Sequence, residues 1–394
     1  MKKSFTYFMP TKVIFGSGKL DELAKVSLPG KKALLVIGAG GNMRKLGYLK
    51  RVENLLKKQN VESVVYDKIQ PNPLTEHVDE AAGVARKERC DFILGLGGGS
   101  TIDSAKSIAI MAKNDGKYWD YINGGSGGGK KPKNGALPIV AITTTAGTGT
   151  EADPWTVITK PDTNEKIGWG NDDTFPALSI VDPELMKSVP PKMTAFTGMD
   201  TFFHAVEAYI ATVSHPVGDP LALEAIGLIA VYLPKAVKDG NDIEARTMVA
   251  WANTEAGICE STSSCISHHS LEHAISAYHQ DLPHGAGLVM TSVAYFSHLA
   301  KKLPARFGDM ARAMGEDITG LSEADSAMAF VAALKKLIKN IGLEDLKLSD
   351  YGVKPDEAQK IAKNSFENMG GLYDVTPVKL TERDVVEIFK NAYR

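Results

Sequence analysis

Cysteine is scarce in this sequence, and long apolar runs are absent from it. The 394 residues include three cysteines, Cys90, Cys259 and Cys265, which are too few and too scattered for a disulfide framework. No apolar run approaches the ~20 residues that span a bilayer, and residues 4–10 form too short and too polar a segment for a signal peptide. We therefore expect a cytoplasmic protein without a membrane segment.

The chain also lacks an excess of either charge. Its 45 lysines and arginines against 47 aspartates and glutamates give a formal net charge of -2, without a dense basic stripe. This balance argues against nucleic acid and against a membrane surface as partners, and it favours small molecules. Apolar residues make up 43% of the chain, which at this length is enough to fill two domain cores.

The first half of the chain alternates short apolar strands with amphipathic helices, a pattern typical of a parallel sheet covered by helices. Helical patterns cover Tyr48–Lys58 and His77–Lys87. The predicted strands are Lys12–Phe15, Ala33–Ile37, Ser63–Tyr66, Phe92–Leu96, Ile139–Thr143 and Leu178–Val181. The pattern therefore predicts an α/β domain.

From about Pro190 onward, helical patterns replace the strands. The predicted helices are Thr194–Thr212, Pro220–Lys238, Ile243–Thr262, Gly287–Leu303 and Glu323–Ile341. Three prolines between positions 183 and 191 mark the boundary, so we predict an α/β domain over residues 1–188 and an all-helical domain over residues 189–394. The glycine-rich segment Gly124–Gly129 is interpreted as a flexible surface tether without chemistry.

A glycine-rich turn follows the predicted strand Phe92–Leu96. Gly97–Gly99 lead through Ser100 into an apolar-periodic helix. Glycines let the backbone approach a ligand, and the N–H groups at a helix start favour an anion, so the turn predicts a phosphate site. The alternative is an ordinary strand-to-helix turn capped by Ser100 or Thr101.

A second loop, Thr143–Glu151, also follows an apolar strand and offers hydroxyl groups beside small residues. Such loops are often turns that cap themselves. Two of them at the ends of successive strands favour a bound ligand, because ligands of open α/β sheets bind at the carboxyl ends of strands.

Gly38 bears on the choice of nicotinamide cofactor. It ends the first clear α/β strand, where an acidic residue would often bind the ribose 2′-hydroxyl of NAD. A glycine there, followed by Asn42, Arg44 and Lys45, tolerates a 2′-phosphate instead. The pattern favours NADP over NAD as the cofactor. The alternative is that the turn after Gly38 is a plain β-turn with exposed basic residues and binds no cofactor.

Carboxylate and imidazole groups cluster in the second half of the chain. Asp200 and His204 are four residues apart, so on a helix both side chains point the same way, which suits two ligands of one metal. Five of the nine histidines fall within seventeen positions: His268, His269, His273, His279 and His284. A single histidine on an apolar helix is more often structural. The set favours a metal site, because an oxygen ligand with neutral imidazoles suits Fe²⁺ or Zn²⁺.

Together these motifs resemble those of the iron-containing alcohol dehydrogenase family over nearly the whole chain. The motifs are Gly97–Ser100 with Asp103 and Lys106, Thr144–Glu151, Gly198–Asp200 with His204, His269 with His273, and Pro283–Gly285. The resemblance implies a dehydroquinate synthase-like fold, with an N-terminal dinucleotide-binding α/β domain and an all-helical C-terminal domain. It also implies a homodimer.

The resemblance further implies roles for individual residues. Asp200, His204, His269 and His284 would hold one divalent metal, Fe²⁺ or Zn²⁺, with His273 beside the substrate as the catalytic residue that carries the proton. The residues that would bind the cofactor are Gly38, Asn72, Gly97, Gly98, Gly99, Ser100, Thr144, Thr145, Thr148 and Lys166. Members that prefer NAD carry Asp at the position of Gly38. His268 is an extra imidazole, and the choice of His269 over it depends on the spacing to His273.

The implied activity is a metal-dependent, NAD(P)-linked interconversion of short alcohols or diols with aldehydes by hydride transfer. We expect Phe202, Trp155, Tyr278 and His279 to line the substrate pocket. Rival activities within the superfamily are a polyol or polyol-phosphate dehydrogenase and a dehydroquinate synthase-like lyase. These need cationic side chains, and Glu260–His284 contains no Arg or Lys. A metal hydrolase is a more distant rival, since it would not need two loops suited to a nucleotide.

Overall fold

The computed structural model describes residues 4–394, and within them the chain forms two compact units. The first is Met9–Ser188, and the second is Val189–Arg394 together with the segment that ends at Phe8. The predicted first domain began at residue 1. The N-terminal segment instead packs with the second unit, where the Phe5 ring stacks on His215 with ring centroids 4.5 Å apart.

A six-stranded sheet forms the centre of the first unit. Its strands are β1 (Lys12–Phe15), β2 (Lys32–Gly38), β3 (Glu62–Ile69), β4 (Phe92–Gly97), β5 (Ile139–Thr143) and β8 (Leu178–Val181). They lie in the order β1-β8-β5-β4-β2-β3, and every pairing is parallel. The predicted parallel sheet is therefore confirmed. The apolar runs of β4 and β5 are wholly buried, as strands covered on both faces must be.

A separate antiparallel hairpin of β6 (Thr156–Lys160) and β7 (Glu165–Trp169) was not predicted. Both strands mix polar with apolar residues and lack the continuous apolar run that marked the others. The helices of this unit are α1 (Asn42–Lys45), α2 (Tyr48–Lys58), α3 (Thr75–Lys87) and α4 (Gly99–Lys113). Nearly every residue of α4 is buried.

The glycine-rich segment Gly124–Gly129 is not the flexible tether that its composition suggests. Gly128 N–H donates to Trp119 O at 3.1 Å, and Gly129 N–H donates to Ile122 O at 3.0 Å. The Ser126 hydroxyl donates to Glu165 at 2.6 Å. These bonds hold the loop against the preceding residues Trp119 and Ile122 and against β7, so its glycines form a compact turn.

The second unit is built from helices, as predicted. They are α5 (Pro191–Ile210), α6 (Gly218–Lys238), α7 (Ile243–Thr262), α8 (Ser267–Tyr278), α9 (His284–Ala300), α10 (Pro304–Ala313), α11 (Glu323–Asn340), α12 (Ala358–Met369), α13 (Gly371–Asp374) and α14 (Glu382–Ala392). Short 3-10 helices occur in both units, at Lys19–Ala24, Tyr118–Tyr121, Pro161–Thr163, Asp172–Thr174, Pro183–Met186, Leu348–Tyr351 and Pro355–Glu357.

Within residues 4–394, α6 alone is long and apolar enough to meet the length and composition of a membrane span. Core helices often meet the same test, and α6 packs closely against its neighbours in the bundle. At Gly198 of α5 a Cβ atom would overlap Leu233 of α6, and at Gly227 of α6 it would lie 2.8 Å from Ala313 O of α10.

Candidate metal centre and nucleotide site

The predicted phosphate turn lies at the point where the sheet reverses its direction of winding. The chain runs from β2 through α2 to β3 on one side, and from β4 through α4 to β5 on the other. β2 and β4 are neighbours, so Gly38 and Gly97 end adjacent parallel strands. Such a switch point is where open α/β sheets bind nucleotides.

The glycines of this turn are in close contact with threonine side chains. A Cβ atom at Gly98 would lie 2.7 Å from the Thr145 hydroxyl oxygen, and one at Gly99 would overlap Thr148. Thr144 N–H also donates to Gly97 O at 2.9 Å. The two predicted cofactor loops therefore form one surface, and any side chain on these glycines would displace the threonines.

No side chain caps the N-terminus of α4. Gly98 occupies the N-cap position in an extended conformation, without a side-chain hydrogen bond. Neither Ser100 nor Thr101 therefore caps this helix. A helix start without a side-chain cap suits an anionic group, because its first N–H groups carry partial positive charge.

The β6–β7 hairpin brings Lys166 towards the segment that contains Asn72. Thr159 N–H donates to Pro73 O at 2.7 Å, and Thr159 lies opposite Lys166 in the hairpin. Asn72 has a left-handed backbone, with φ 51°. The Lys166 side chain is buried.

Gly38 has room for a side chain. A Cβ atom there would lie 3.7 Å from Ile69 O and 3.8 Å from the Thr101 hydroxyl oxygen, both ordinary contacts. Of the polar residues that follow, Arg44 already pairs with Asp67 at 2.7 Å. Lys45 is exposed.

A buried charged network supports the second loop from beneath. Lys106 of α4 is fully buried, and its Nζ donates to the Thr150 hydroxyl at 2.6 Å and to Asp153 Oδ1 at 2.9 Å. The Thr150 hydroxyl in turn donates to Asp103 at 2.7 Å. Burial raises the pKa of Asp103 to about 6, although the charge of Lys106 opposes the shift. The network ties the loop after β5 to α4.

In the second unit, three imidazoles converge on one carboxylate oxygen. Asp200 Oδ1 lies 3.7 Å from His204 Nδ1, 3.6 Å from His269 Nε2 and 3.4 Å from His284 Nε2. Asp200 and His204 belong to α5, His269 belongs to α8, and His284 begins α9. Of the four predicted metal ligands, Asp200, His269 and His284 form one group of possible donors within 4.8 Å of one another, and His204 lies beside Asp200.

The separations in this cluster fit ligands that share an ion. They exceed hydrogen bonds of roughly 2.7–3.2 Å, and they match the ~3.4 Å expected between two ligands with bonds of ~2.1 Å at the tetrahedral angle. Asp200 Oδ1 and His269 Nε2 are buried, and residues 4–394 provide no hydrogen-bond partner for either atom. Buried polar atoms without partners are costly, and a cation among them would satisfy both. The donor set therefore fits a divalent metal.

Asp200 is held in its ionised form. Burial raises the pKa of a carboxyl group, but the charges of His204 and His284 outweigh that effect and hold the pKa of Asp200 well below its usual range. An ionised carboxylate is the form that ligates a metal.

Two buried glutamates contact imidazoles of the predicted metal site. Glu207 of α5 lies 2.8 Å from His269 Nδ1, and Glu272 of α8 is in contact with His284 Nδ1. In each case the carboxylate favours a proton on Nδ1 and leaves Nε2 for a metal, the arrangement usual for metal-binding histidines. Neither glutamate was predicted from the sequence, although Glu207 follows His204 by three positions and Asp200 by seven, on the same helix face.

The extra imidazole of His268 is engaged on both sides. Its Nδ1 lies 2.9 Å from Glu207, and its Nε2 lies 3.0 Å from the Thr291 hydroxyl. Burial lowers the pKa of His268, whereas the Glu207 carboxylate opposes that shift. With both nitrogens engaged, His268 has no lone pair available for a metal, whereas His269 Nε2 has no partner.

The start of α9 approaches α5 closely. A Cβ atom on Gly285 would overlap the backbone carbonyl of Phe196, so only glycine allows His284 to lie beside Asp200 at this distance. The His273 ring is close to two of the predicted ligands, with centroids 5.3 Å from His284 and 6.3 Å from His269.

The residues predicted to line the pocket have different surroundings in the structure. Phe202 is fully buried and packs against Phe203 and Phe330 in the core of the helical unit, so it is not a pocket wall. His279 is half-buried and lies 3.0 Å from Glu357. Tyr278 is half-buried beneath the Lys360 ammonium group. Trp155 belongs to the other unit, where its carbonyl accepts from Lys106.

Two family models cover most of the chain. Residues 10–183 match the iron-containing alcohol dehydrogenase model, and residues 194–393 match the C-terminal model of the Fe-containing alcohol dehydrogenase family. Among characterised relatives, the NAD-dependent methanol dehydrogenase of Bacillus methanolicus is 36% identical, over 98% of this chain and 99% of that protein. The 1,3-propanediol dehydrogenase of Klebsiella pneumoniae is 35% identical, over 99% of both chains.

Solved structures give the same result. An archaeal halo-thermophilic alcohol dehydrogenase from a Red Sea brine pool superposes with a TM-score of 0.94 and 37% identity over 100% of both chains. A 1,3-propanediol oxidoreductase superposes with a TM-score of 0.92 and 34% identity, over 99% of this chain and all of its own. The predicted dehydroquinate synthase-like fold is thereby confirmed. This chain belongs to the iron-containing alcohol dehydrogenase family.

Proposed function

We propose that this protein is a metal-dependent, NADP-linked dehydrogenase that interconverts short aliphatic alcohols or diols with the corresponding aldehydes. One observation carries the proposal: three imidazoles converge on the buried, ionised Asp200, whose Oδ1 has no hydrogen-bond partner. The phosphate turn at the switch point of the first unit supports it, because a nucleotide is the ligand expected there.

Asp200, His204, His269 and His284 would hold the metal, and the donor set accepts Fe²⁺ or Zn²⁺. When bound, the ion would act as a Lewis acid towards the substrate oxygen. The chain's own contribution is to hold these ligands ready. Glu207 and Glu272 keep Nε2 of their histidines directed towards Asp200.

His273 is proposed to carry the proton that the hydroxyl loses when hydride leaves the substrate carbon. It lies one helical turn from His269, and imidazole exchanges protons near neutral pH. His273→Ala should lower turnover and change its pH profile while metal content stays at the wild-type level. An unchanged pH profile with full turnover would assign His273 no part in the reaction.

In the first unit, Gly97–Gly99 and Ser100 are proposed to bind the pyrophosphate through the start of α4. Thr144, Thr145 and Thr148 would line the groove, and Asn72 and Lys166 would reach the nucleotide. Tight NADPH binding, followed by cofactor fluorescence, separates a dehydrogenase from a metal hydrolase, which would bind no dinucleotide.

The absence of a carboxylate at Gly38 supports NADP as the preferred cofactor. The relative from Bacillus methanolicus, in contrast, is named for NAD. Gly38→Asp should reverse the preference, because the new carboxylate fits the space, repels a 2′-phosphate and accepts bonds from a ribose hydroxyl. A hydrogen bond to a charged group contributes about 1.5–3 kcal/mol, so the ratio of kcat/KM for the two cofactors should shift roughly tenfold to a hundredfold. Gly83→Asp, on α3 with open space around it, is the matched control.

Short alcohols and diols are proposed as substrates because the relatives are named for methanol and 1,3-propanediol. A phosphorylated polyol would need cations near the metal ligands, and Glu260–His284 contains none. A panel of aldehydes of increasing length and of polyol phosphates, assayed by NADPH oxidation, tests this. Faster turnover of a polyol phosphate than of any short aldehyde would favour the rival.

We further propose a cytoplasmic homodimer. Among residues 4–394 the three cysteines are free and buried, as suits a reducing compartment. Light scattering of the purified full-length chain tests the oligomeric state.

A further inference from the structure

A sulfur donor lies beside two of the proposed metal ligands. Cys265, just before α8, offers a thiol that lies with one ligand atom each of His204 and His269 in a group whose members are all within 4.8 Å of one another. Glu260, in the last turn of α7, lies beside two members of this group. Its Oε1 lies 3.3 Å from Cys265 Sγ, and its Oε2 lies 3.5 Å from His204 Nε2.

This second group is buried. Cys265 is 6% exposed and His269 is 3% exposed, and the Nε2 atom of His269 has no hydrogen-bond partner. Within this group the Cys265 thiol donates to the Glu260 carboxylate.

The two donor groups differ in softness. Asp200 with its imidazoles offers only oxygen and nitrogen, whereas the second group adds sulfur, which soft ions prefer. His204 and His269 belong to both groups, and His269 has a single Nε2 lone pair to give. One ion can therefore use that lone pair at a time.

We propose that Cys265, His204 and His269, with Glu260 beside them, form an alternative site for a soft divalent ion, of which Cd²⁺ is the clearest case, and that its occupation excludes an ion held by Asp200. The inference rests on the proposed function, because it uses two of the same histidines. When the ion binds, the S–H bond breaks and a sulfur–metal bond forms. The proton leaves through Glu260 to solvent, since metal binding to a thiol releases one proton.

The other cysteines provide matched controls. Cys259 lies on α7, also buried, and its thiol donates to Gly218 O at 3.3 Å. Cys90 is in the first unit. Within the described chain, neither belongs to a group of possible metal donors.

The test is a titration of metal-free full-length protein with Cd²⁺, followed by the ultraviolet charge-transfer absorption of a cadmium–thiolate bond. Wild type should develop the band up to one equivalent of Cd²⁺. Cys259→Ser and Cys90→Ser should retain it, and Cys265→Ser or Cys265→Ala should lose it. Prior loading with Cd²⁺ should also block subsequent uptake of Fe²⁺, and this block should be weaker in Cys265→Ser.

Two results overturn the inference: no thiolate band in wild type, or an equal band in Cys265→Ser. If wild type and Cys265→Ser bind one Fe²⁺ or Zn²⁺ equally and no thiolate band forms, only the alternative site is refuted. If wild type binds no Fe²⁺, Zn²⁺ or Cd²⁺ at all, the metal centre of the proposed function fails with it.

Discussion

Two clusters of buried charge, one in each unit, differ in how completely their polar atoms are paired. In the first unit, Lys106 Nζ has four acceptors within 2.9 Å, from Thr150, Asp153 and Trp155. In the second, Asp200 Oδ1 and His269 Nε2 are equally buried and have none. Burial of charge therefore does not by itself mark a functional site. A complete set of partners points to structure, and a missing partner points to a ligand.

The largest expected effect comes from breaking the second cluster. His269→Ala should reduce metal content from one ion per chain to nearly none and lower turnover roughly a thousandfold, because a Lewis acid contributes several kcal/mol at the transition state. Elemental analysis and NADPH oxidation measure the two effects.

His279→Ala is the control for this variant, because His279 lies outside the cluster and bonds to Glu357. It should retain both metal and most of the turnover. A metal-free His269→Ala protein with wild-type turnover would contradict the assignment of the ligands.

Breaking the first cluster should act on stability. Lys106→Met leaves Asp153 buried without its cation, so the free energy of unfolding should fall by about 3–5 kcal/mol. Urea unfolding measures it. The double variant Lys106→Met/Asp153→Asn removes the unpaired charge and should recover part of the loss. A loss below about 1 kcal/mol would mean that the network does not stabilise the fold.

Asp103, which belongs to the first cluster, should make the free energy of unfolding depend on pH. Burial raises its pKa from 3.8 to about 6 in the folded protein. Because the folded pKa is raised, its contribution to stability is fully present below pH ~4 and is lost as the pH rises through ~6, by about 3 kcal/mol. The stability of Asp103→Asn relative to wild type should therefore rise by about that amount between pH 4 and pH 7. Parallel unfolding profiles for the two proteins would refute this.

The smallest effect is expected from a residue that touches the second cluster without belonging to it. Glu207→Gln removes the charge that orients His269, and loss of such a partner typically weakens metal affinity roughly tenfold to a hundredfold. Competition with a chelator measures the change. An affinity equal to that of wild type would show that His269 needs no orientation by Glu207.

Much of this architecture could be predicted from local pattern. The strands of the first unit are buried on both faces, so each is an apolar run bounded by turns. The spacing of Asp200 and His204 placed two of the proposed ligands on one helix. The β6–β7 hairpin was missed because its strands carry polar residues such as Thr159 and Lys166, and its position is set by pairing with the segment around Pro73.

Which of two neighbouring histidines faces Asp200 could be seen only in the folded structure. His268 and His269 are adjacent in sequence and share Glu207, yet Thr291 of α9 engages one of them while Asp200 of α5 faces the other. Spacing to His273 alone could not show this. Cys265 and Glu260 carried no signal either, because their relation to His204 arises from the packing of α5 with α7 and α8.

The most direct test of the metal centre is a crystal structure of the protein loaded with Fe²⁺ or Zn²⁺, with anomalous diffraction measured at the absorption edge of that ion. We expect one anomalous peak per chain, within bonding distance of the Asp200 carboxylate and of imidazole nitrogens of His204, His269 and His284. No peak at that position, or a peak bound by other residues instead, would contradict it.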